Sequence, residues 1–124
     1  MIEFEVFGRP APQGSKTIMR GRLVETSKYL PAWRKAIAEA ATEGNARTGF
    51  YSDQPLAVSV IFFLSRPKTV NRIWPTVPPD VDKLARSLDS VTGILWHDDA
   101  QIVHLTASKE YRDEPGAIIM IEEI

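Results

Sequence analysis

The sequence predicts an α/β domain of two layers, in which a mixed β-sheet is covered by two main helices in the chain order β-α-β-α-β-β. Residues 2–7 alternate between apolar and polar side chains, which is typical of a half-buried strand. Residues 56–64 are rich in Val, Ile and Phe, which favours a buried strand. Apolar residues recur at helical spacing in residues 30–41 and 81–91. The chain has 124 residues, 44% hydrophobic and 25% charged, and is therefore expected to fold as one domain over residues 1–124.

Proline and glycine divide the segment after the first strand. Residues 8–16 have the sequence GRPAPQGSK, which predicts a loop. Residues 17–27 are open to two interpretations, because they either form a short hairpin across Arg20 and Gly21 or stay irregular.

The first helix is expected to begin at a cap formed by Thr26 or Ser27, with Pro31 in its first turn. Gly44 is expected to end it. Arg34 and Lys35 lie off the apolar stripe, near Glu39 and Glu43, so pairing on the helix surface is a sufficient explanation for most of these charges. The stripe itself consists of Leu30, Trp33, Ile37, Ala40 and Ala41.

The second half of the chain is expected to contain a loop, a helix and two strands after the buried strand. Residues 65–79 contain four prolines and predict a long stiff loop, of the kind that is often functional in compact domains. A second helix of about four turns is expected to begin at Asp80 and to end at residues 92–93. Two strands then follow, over residues 101–109 and 117–121.

Composition excludes several classes of protein. The chain has no cysteine, which excludes a disulfide scaffold, thiolate zinc sites and a cysteine nucleophile. No apolar run approaches the ~20 residues of a membrane helix, and the acidic N-terminus does not resemble a secretory signal. We therefore expect a cytoplasmic protein that does not bind a membrane.

Charge is unevenly distributed along the chain. The net charge of −1 argues against nucleic-acid binding through bulk charge alone. However, residues 1–35 carry seven basic and three acidic residues, and residues 80–99 carry five of the seven aspartates. This pattern fits an enzyme that holds a polyanion near metal ions, and it also fits chance patterning on a small surface.

Four of these aspartates are candidate metal ligands. Asp80 and Asp82 lie at a helix entry, where both carboxylates can converge on one point. If the chain returns along the second helix, Asp98 or Asp99 lies beside them. Three carboxylates at one point need a cation, and hard oxygen ligands suit Mg²⁺, with Mn²⁺ as a substitute. Taken separately, each pair is also explained by helix capping or by a turn.

Residues 79–93 (PDVDKLARSLDSVTG), residues 96–102 (WHDDAQI) and residues 109–111 (KEY) together resemble the RusA-like Holliday junction resolvases, small endodeoxyribonucleases common in phages and prophages. That family has a similar order of motifs: Asp-x-Asp at a helix start, a basic residue four positions on, a late Asp, then Asp-Asp-x-Gln and a Lys. The close match covers about a quarter of the chain, and residues 8–16 resemble the family's N-terminal loop more loosely.

The resemblance implies a homodimer that binds four-way DNA junctions and cuts two opposing strands with Mg²⁺, in DNA recombination and repair. By position it implies Asp80, Asp82 and Asp99 as catalytic metal ligands. The resemblance also implies Arg86 as a catalytic residue, at a position where the best-known members have a Lys. An Arg cannot replace a Lys that must give up a proton, but it can serve as a fixed charge that pairs with Asp82 or contacts a phosphate. No organic cofactor is implied. Asp89 is expected either to orient a ligand or basic side chain, or to be a solvated helix residue.

Basic residues outside this set are candidates for phosphate contacts, which give affinity without reading sequence. The DNA-binding candidates are Lys16, Arg20, Arg22, Lys83 and Lys109. Trp74, in the proline-rich loop, is a candidate for stacking on an unpaired base, the alternative being packing of the loop itself. Three other functions stay open: a catalytically inactive junction- or DNA-binding module, a phage accessory protein that binds a protein partner, and a metal-dependent phosphoesterase that acts on small substrates.

Overall fold

The computed structural model describes residues 1–14, 16–25 and 27–124, and leaves out the side chains of residues 16–19, 23–25 and 46–48. The strands are β1 (Ile2–Phe7), β2 (Lys16–Met19), β3 (Arg22–Glu25), β4 (Leu56–Leu64), β5 (Ile102–Tyr111) and β6 (Gly116–Glu123). The helices are α1 (Leu30–Thr48), α2 (Val81–Ala85) and two 3₁₀ helices, Arg86–Val91 and Asp99–Gln101. No helix among the described residues has the length and apolar character needed to cross a membrane.

One mixed sheet organises the domain, in the spatial order β1-β6-β4-β5. β6 runs antiparallel to both of its neighbours, whereas β4 and β5 are parallel and are joined by the long crossover that contains α2. β2 and β3 form a separate antiparallel hairpin, which is the first of the two interpretations of residues 17–27. The predicted α/β class and element order are confirmed. The β2–β3 hairpin adds two strands between β1 and α1 to that order.

The core lies on one face of the sheet. Alternate residues of β1, β4 and β6 are buried there against α1 and the Arg86–Val91 helix. Trp33 of α1 and Trp96 are the largest fully buried side chains. The α1 stripe was predicted as core, and Leu30, Trp33, Ile37 and Ala41 are indeed buried.

The first helix differs from its prediction at both ends. It continues to Thr48, so Gly44 lies inside it and not at its end. A Cβ atom at Gly44 would lie 2.9 Å from Ile2 Cδ1, so the glycine allows α1 to pack closely on β1. Gly49, with φ of 84°, follows the helix end. At the start, the N-cap residue is Tyr29, whose side chain makes no capping hydrogen bond, and the carbonyl oxygen of Ser27 accepts from the Leu30 amide. Thr26 lies outside the described residues.

The second helix is not the continuous four-turn α-helix that the sequence predicts. It changes from α to 3₁₀ geometry after Ala85. Two serine hydroxyls explain the change, since Ser87 donates to the Leu84 carbonyl at 2.6 Å and Ser90 donates to the Ser87 carbonyl at 2.7 Å. Such bonds to a carbonyl three residues back favour a tighter turn. The apolar face is kept, because Leu88 remains buried.

β5 is an edge strand whose outer side has no strand partner among the described residues. Leu105 is paired with Val58, a buried residue of β4, so the two side chains lie on the same face of the sheet, the one that carries the core. Leu105 lies beyond the part of this face that is covered. Leu105 is nevertheless 53% exposed and Val103 is 56% exposed. The sheet therefore ends in an uncovered apolar edge.

Candidate active site

A pair of exposed carboxylates opens α2, as predicted. Asp80 is the N-cap residue with extended backbone (φ −69°, ψ 140°), and Asp82 lies in the first turn. Neither side chain caps the helix. Each carboxylate has a long ion pair with one cation: Lys83 Nζ lies 3.9 Å from Asp80 Oδ2, and Arg86 Nη2 lies 3.9 Å from Asp82 Oδ2. With side chains 56% and 70% exposed, both carboxylates can accept a ligand from outside the chain.

Lys109 fixes the segment that leads into this pair. Its ammonium group donates to the carbonyl oxygen of Val77 at 2.7 Å and to that of Pro79 at 2.8 Å. Two of its three donors therefore hold the end of the proline-rich loop against β5. One donor of the ammonium group remains for the predicted phosphate contact of Lys109. The observed contacts give Lys109 a positioning role for Asp80.

The second aspartate pair is held by local hydrogen bonds. Asp98 caps the Asp99–Gln101 helix by accepting from the Ala100 amide at 2.8 Å, and the Gln101 side chain completes a capping box. The Oδ1 atom of Asp99 accepts from the Trp96 indole at 2.8 Å and also from the Thr92 hydroxyl. Asp99 is thereby fixed at the far end of the Arg86–Val91 helix.

The expectation that Asp99 returns to lie beside Asp80 and Asp82 is not met within one chain. No group of three acidic or histidine side chains among the described residues is close enough to hold a metal ion. The physical reason is the crossover itself: five α-helical and six 3₁₀ residues advance the chain by up to roughly 20 Å, and Asp99 is bound at their end. One chain thus presents a two-carboxylate site and a separate carboxylate.

A polar network that the sequence analysis missed ties the N-terminal loop to this region. The Arg34 guanidinium donates to Asp89 Oδ1 and, at 2.6 Å, to Gln13 Oε1. Gln13 in turn donates to Asp89 Oδ2 at 2.9 Å, and its backbone amide donates to the Lys83 carbonyl at 2.9 Å. Of the two roles expected for Asp89, the structure shows that of orienting a basic side chain.

This network corrects the interpretation of Arg34, whose partner is a residue 55 positions away and not a neighbour on α1. Helical spacing indicates only local partners, so no sequence signal pointed to the contact. The local prediction does hold for Lys35, whose ammonium lies 4.0 Å from Glu39.

Arg86 lies between the carboxylate pair and the N-terminal loop. Its side chain is 54% exposed, and one nitrogen faces Asp82. A Cβ atom at Gly14, where φ is 94°, would collide with the other terminal nitrogen. The positive φ favours glycine at this position, and the missing side chain leaves room for the guanidinium of Arg86 against the loop.

The remaining predicted DNA-binding residues are spread over the surface. Arg20 and Arg22 are exposed at the turn of the β2–β3 hairpin, and Lys83 lines a groove beside Asp80. The side chain of Lys16 lies outside the described part of the chain. Trp74 is 59% exposed, so more than half of its surface is open to solvent.

Fold and site together define a small α/β domain that presents exposed carboxylates beside basic side chains, as enzymes acting on phosphodiesters do. A family model described as "Endodeoxyribonuclease RusA" matches residues 6–122, and the chain belongs to this endodeoxyribonuclease family. It is also similar to the uncharacterized protein YqaN of Bacillus subtilis (strain 168), with 28% identity over 142 aligned positions. That alignment covers 99% of this chain and 96% of YqaN.

Proposed function

We propose that this protein is a divalent-metal-dependent endodeoxyribonuclease that cuts four-way DNA junctions as a homodimer. The observation that carries the proposal is the exposed Asp80–Asp82 pair at the entry of α2, in a chain that matches the endodeoxyribonuclease family over nearly its whole length. Lys109 supports it by fixing the residues before Asp80.

The donor chemistry of the site suits Mg²⁺ or Mn²⁺. Asp80 and Asp82 offer hard oxygen atoms that are not used as helix caps, and Asp99 is the proposed third ligand. When bound, the ion supplies an activated water and neutralises the charge that develops on the scissile phosphate. Since one chain keeps Asp99 apart from the pair, a complete three-carboxylate site requires a second subunit.

The edge of β5 supports a homodimer that could complete the site. This strand begins beside Asp99 and reaches Lys109, which contacts the segment before Asp80. If two free β5 edges pair antiparallel about a two-fold axis, the Asp99 end of one subunit lies along the Asp80 end of the other. The exposed Val103 and Leu105 would be covered in this arrangement, which removes apolar surface from water.

Arg86 is proposed to act as a fixed positive charge. It faces Asp82 and lies against the loop at Gly14, so it can orient the carboxylate or contact a phosphate oxygen. Because a guanidinium stays protonated, Arg86 has no part in proton transfer.

Metal dependence is tested with an end-labelled four-way junction, incubated with the wild-type protein in Mg²⁺, in Mn²⁺ and in EDTA. We expect strand cleavage with either metal and none with EDTA, with products resolved on a denaturing gel. Cleavage that persists in EDTA would contradict the metal site. Salt-sensitive junction binding without cleavage in any metal would instead support the inactive binding module, which the separation of the carboxylates within one chain favours.

A further inference from the structure

Two proline-containing segments line an open groove beside the carboxylate pair. The N-terminal loop and the 65–79 loop both contribute to it, its volume is about 950 Å³, and Asp80 lies on its wall. Since proline has a fixed φ, these walls are stiff, and little ordering cost remains when a ligand enters. The groove contains seven of the nine prolines of the chain: Pro10, Pro12, Pro67, Pro75, Pro78, Pro79 and Pro115.

The lining of this groove is strongly cationic. Asp80 is the one acidic side chain among the described residues that line it. The basic side chains of the lining are Arg9, Lys28, Arg66, Arg72 and Lys83. This local charge contrasts with the net charge of −1 for the chain, and it favours a polyanion as the ligand of the groove.

On the N-terminal side, cations are held by an aromatic ring. The guanidinium carbon of Arg9 lies 3.7 Å from the centre of the Tyr29 ring, and Lys28 Nζ lies 5.3 Å from the same centre. Neither residue pairs with a carboxylate in the described part of the chain. Ring contacts orient a cation but leave its N–H donors available.

The proline-rich loop repeats this arrangement on Tyr111. The guanidinium carbons of Arg66 and Arg72 lie 4.9 Å and 5.8 Å from the centre of its ring, and no described carboxylate pairs with either. The Tyr111 hydroxyl is buried and has no hydrogen-bond partner among the described residues. The groove therefore holds two clusters of cations, each oriented by a tyrosine ring.

We propose that this groove binds the sugar–phosphate backbone of a DNA strand and directs that strand to Asp80. Arg9 and Lys28 contact phosphates on one side, and Arg66 and Arg72 contact them on the other. Two separate cation clusters fit successive phosphates of a polymer better than a single phosphate group. This inference rests on the proposed function, and it moves the main phosphate contacts from the β2–β3 hairpin to the groove.

The test compares two double variants with the same loss of charge. Arg66→Gln/Arg72→Gln removes one cluster, whereas Lys35→Gln/Lys68→Gln removes two exposed lysines that do not line the groove. Junction affinity is measured in EDTA at several salt concentrations, so that binding is read without cleavage. We expect the groove variant to bind roughly tenfold or more weakly, with a salt slope smaller by about 2.

For the control variant we expect a loss of less than about threefold. Equal losses of affinity and of slope in the two variants would overturn the inference, because bulk charge would then explain both. If the wild-type protein binds no junction, both the proposed function and this inference fail. If the wild-type protein binds the junction and the groove substitutions leave that affinity unchanged, only the groove is refuted. Should Arg66→Gln/Arg72→Gln not fold, Arg9→Gln/Lys28→Gln provides the same test from the other side.

Discussion

Asp82→Asn should abolish cleavage and preserve DNA binding. The substitution keeps the size of the side chain and removes the negative charge that the proposed cation requires. We expect the single-turnover cleavage rate to fall by more than the roughly 10- to 100-fold that loss of an outer-shell partner causes. Junction affinity in EDTA should stay equal or rise, because one charge that repels phosphate is gone.

The matched control for this substitution is Asp113→Asn, which removes the same charge from an exposed turn between β5 and β6. It should leave the cleavage rate within about twofold of wild type, since it lies outside the proposed site. A wild-type rate for Asp82→Asn would end its assignment as a metal ligand. Equal loss in both variants would show that net charge, and not this position, controls the rate.

Trp33→Ala should strongly destabilise the fold. The Trp33 side chain is 1% exposed, its ring lies 6.4 Å from that of Phe62, and its indole donates to Ser87 at 3.0 Å. It thus joins α1, β4 and the Arg86–Val91 helix, and its removal leaves a cavity where all three meet. We expect the free energy of unfolding to fall by about 3–5 kcal/mol, a large part of the ~5–15 kcal/mol of a typical domain.

Urea unfolding at fixed protein concentration measures this loss, because dimerisation would make stability depend on concentration. Trp33→Phe is the control: it keeps a ring in the core and removes the indole donor, and Ser87 still donates to Leu84. Its expected loss is smaller, about 1–2 kcal/mol. A loss below about 1 kcal/mol for Trp33→Ala would mean that α1 does not depend on this contact.

The fold was largely predictable because its core follows simple periodicities. Alternation identified β1, and helical spacing identified the buried face of α1. The helix ends were predicted less well, since Gly44 lies inside α1, where it faces Ile2, and does not end the helix. The change from α to 3₁₀ geometry depends on serine hydroxyls that periodicity does not consider.

The site was predictable only where it is local. The position of Asp80 and Asp82 at a helix entry follows from the order of residues along the chain. The Arg34–Asp89 pair and the cationic groove join residues far apart in sequence, and no spacing rule connects them. Within one chain, Asp99 does not lie beside Asp80 and Asp82, because its hydrogen bonds to Trp96 and Thr92 hold it at the other end of the crossover.

The most direct test of the proposed function compares a synthetic four-way junction with a linear duplex of the same sequences, both in Mg²⁺. The measurement is the position and number of nicks in each strand. We predict nicks in the junction alone, in two opposing strands at symmetric positions, because a homodimer presents two equivalent sites. Equal cutting of the linear duplex would contradict junction selectivity, and a junction cut in only one strand would contradict the paired action of two subunits.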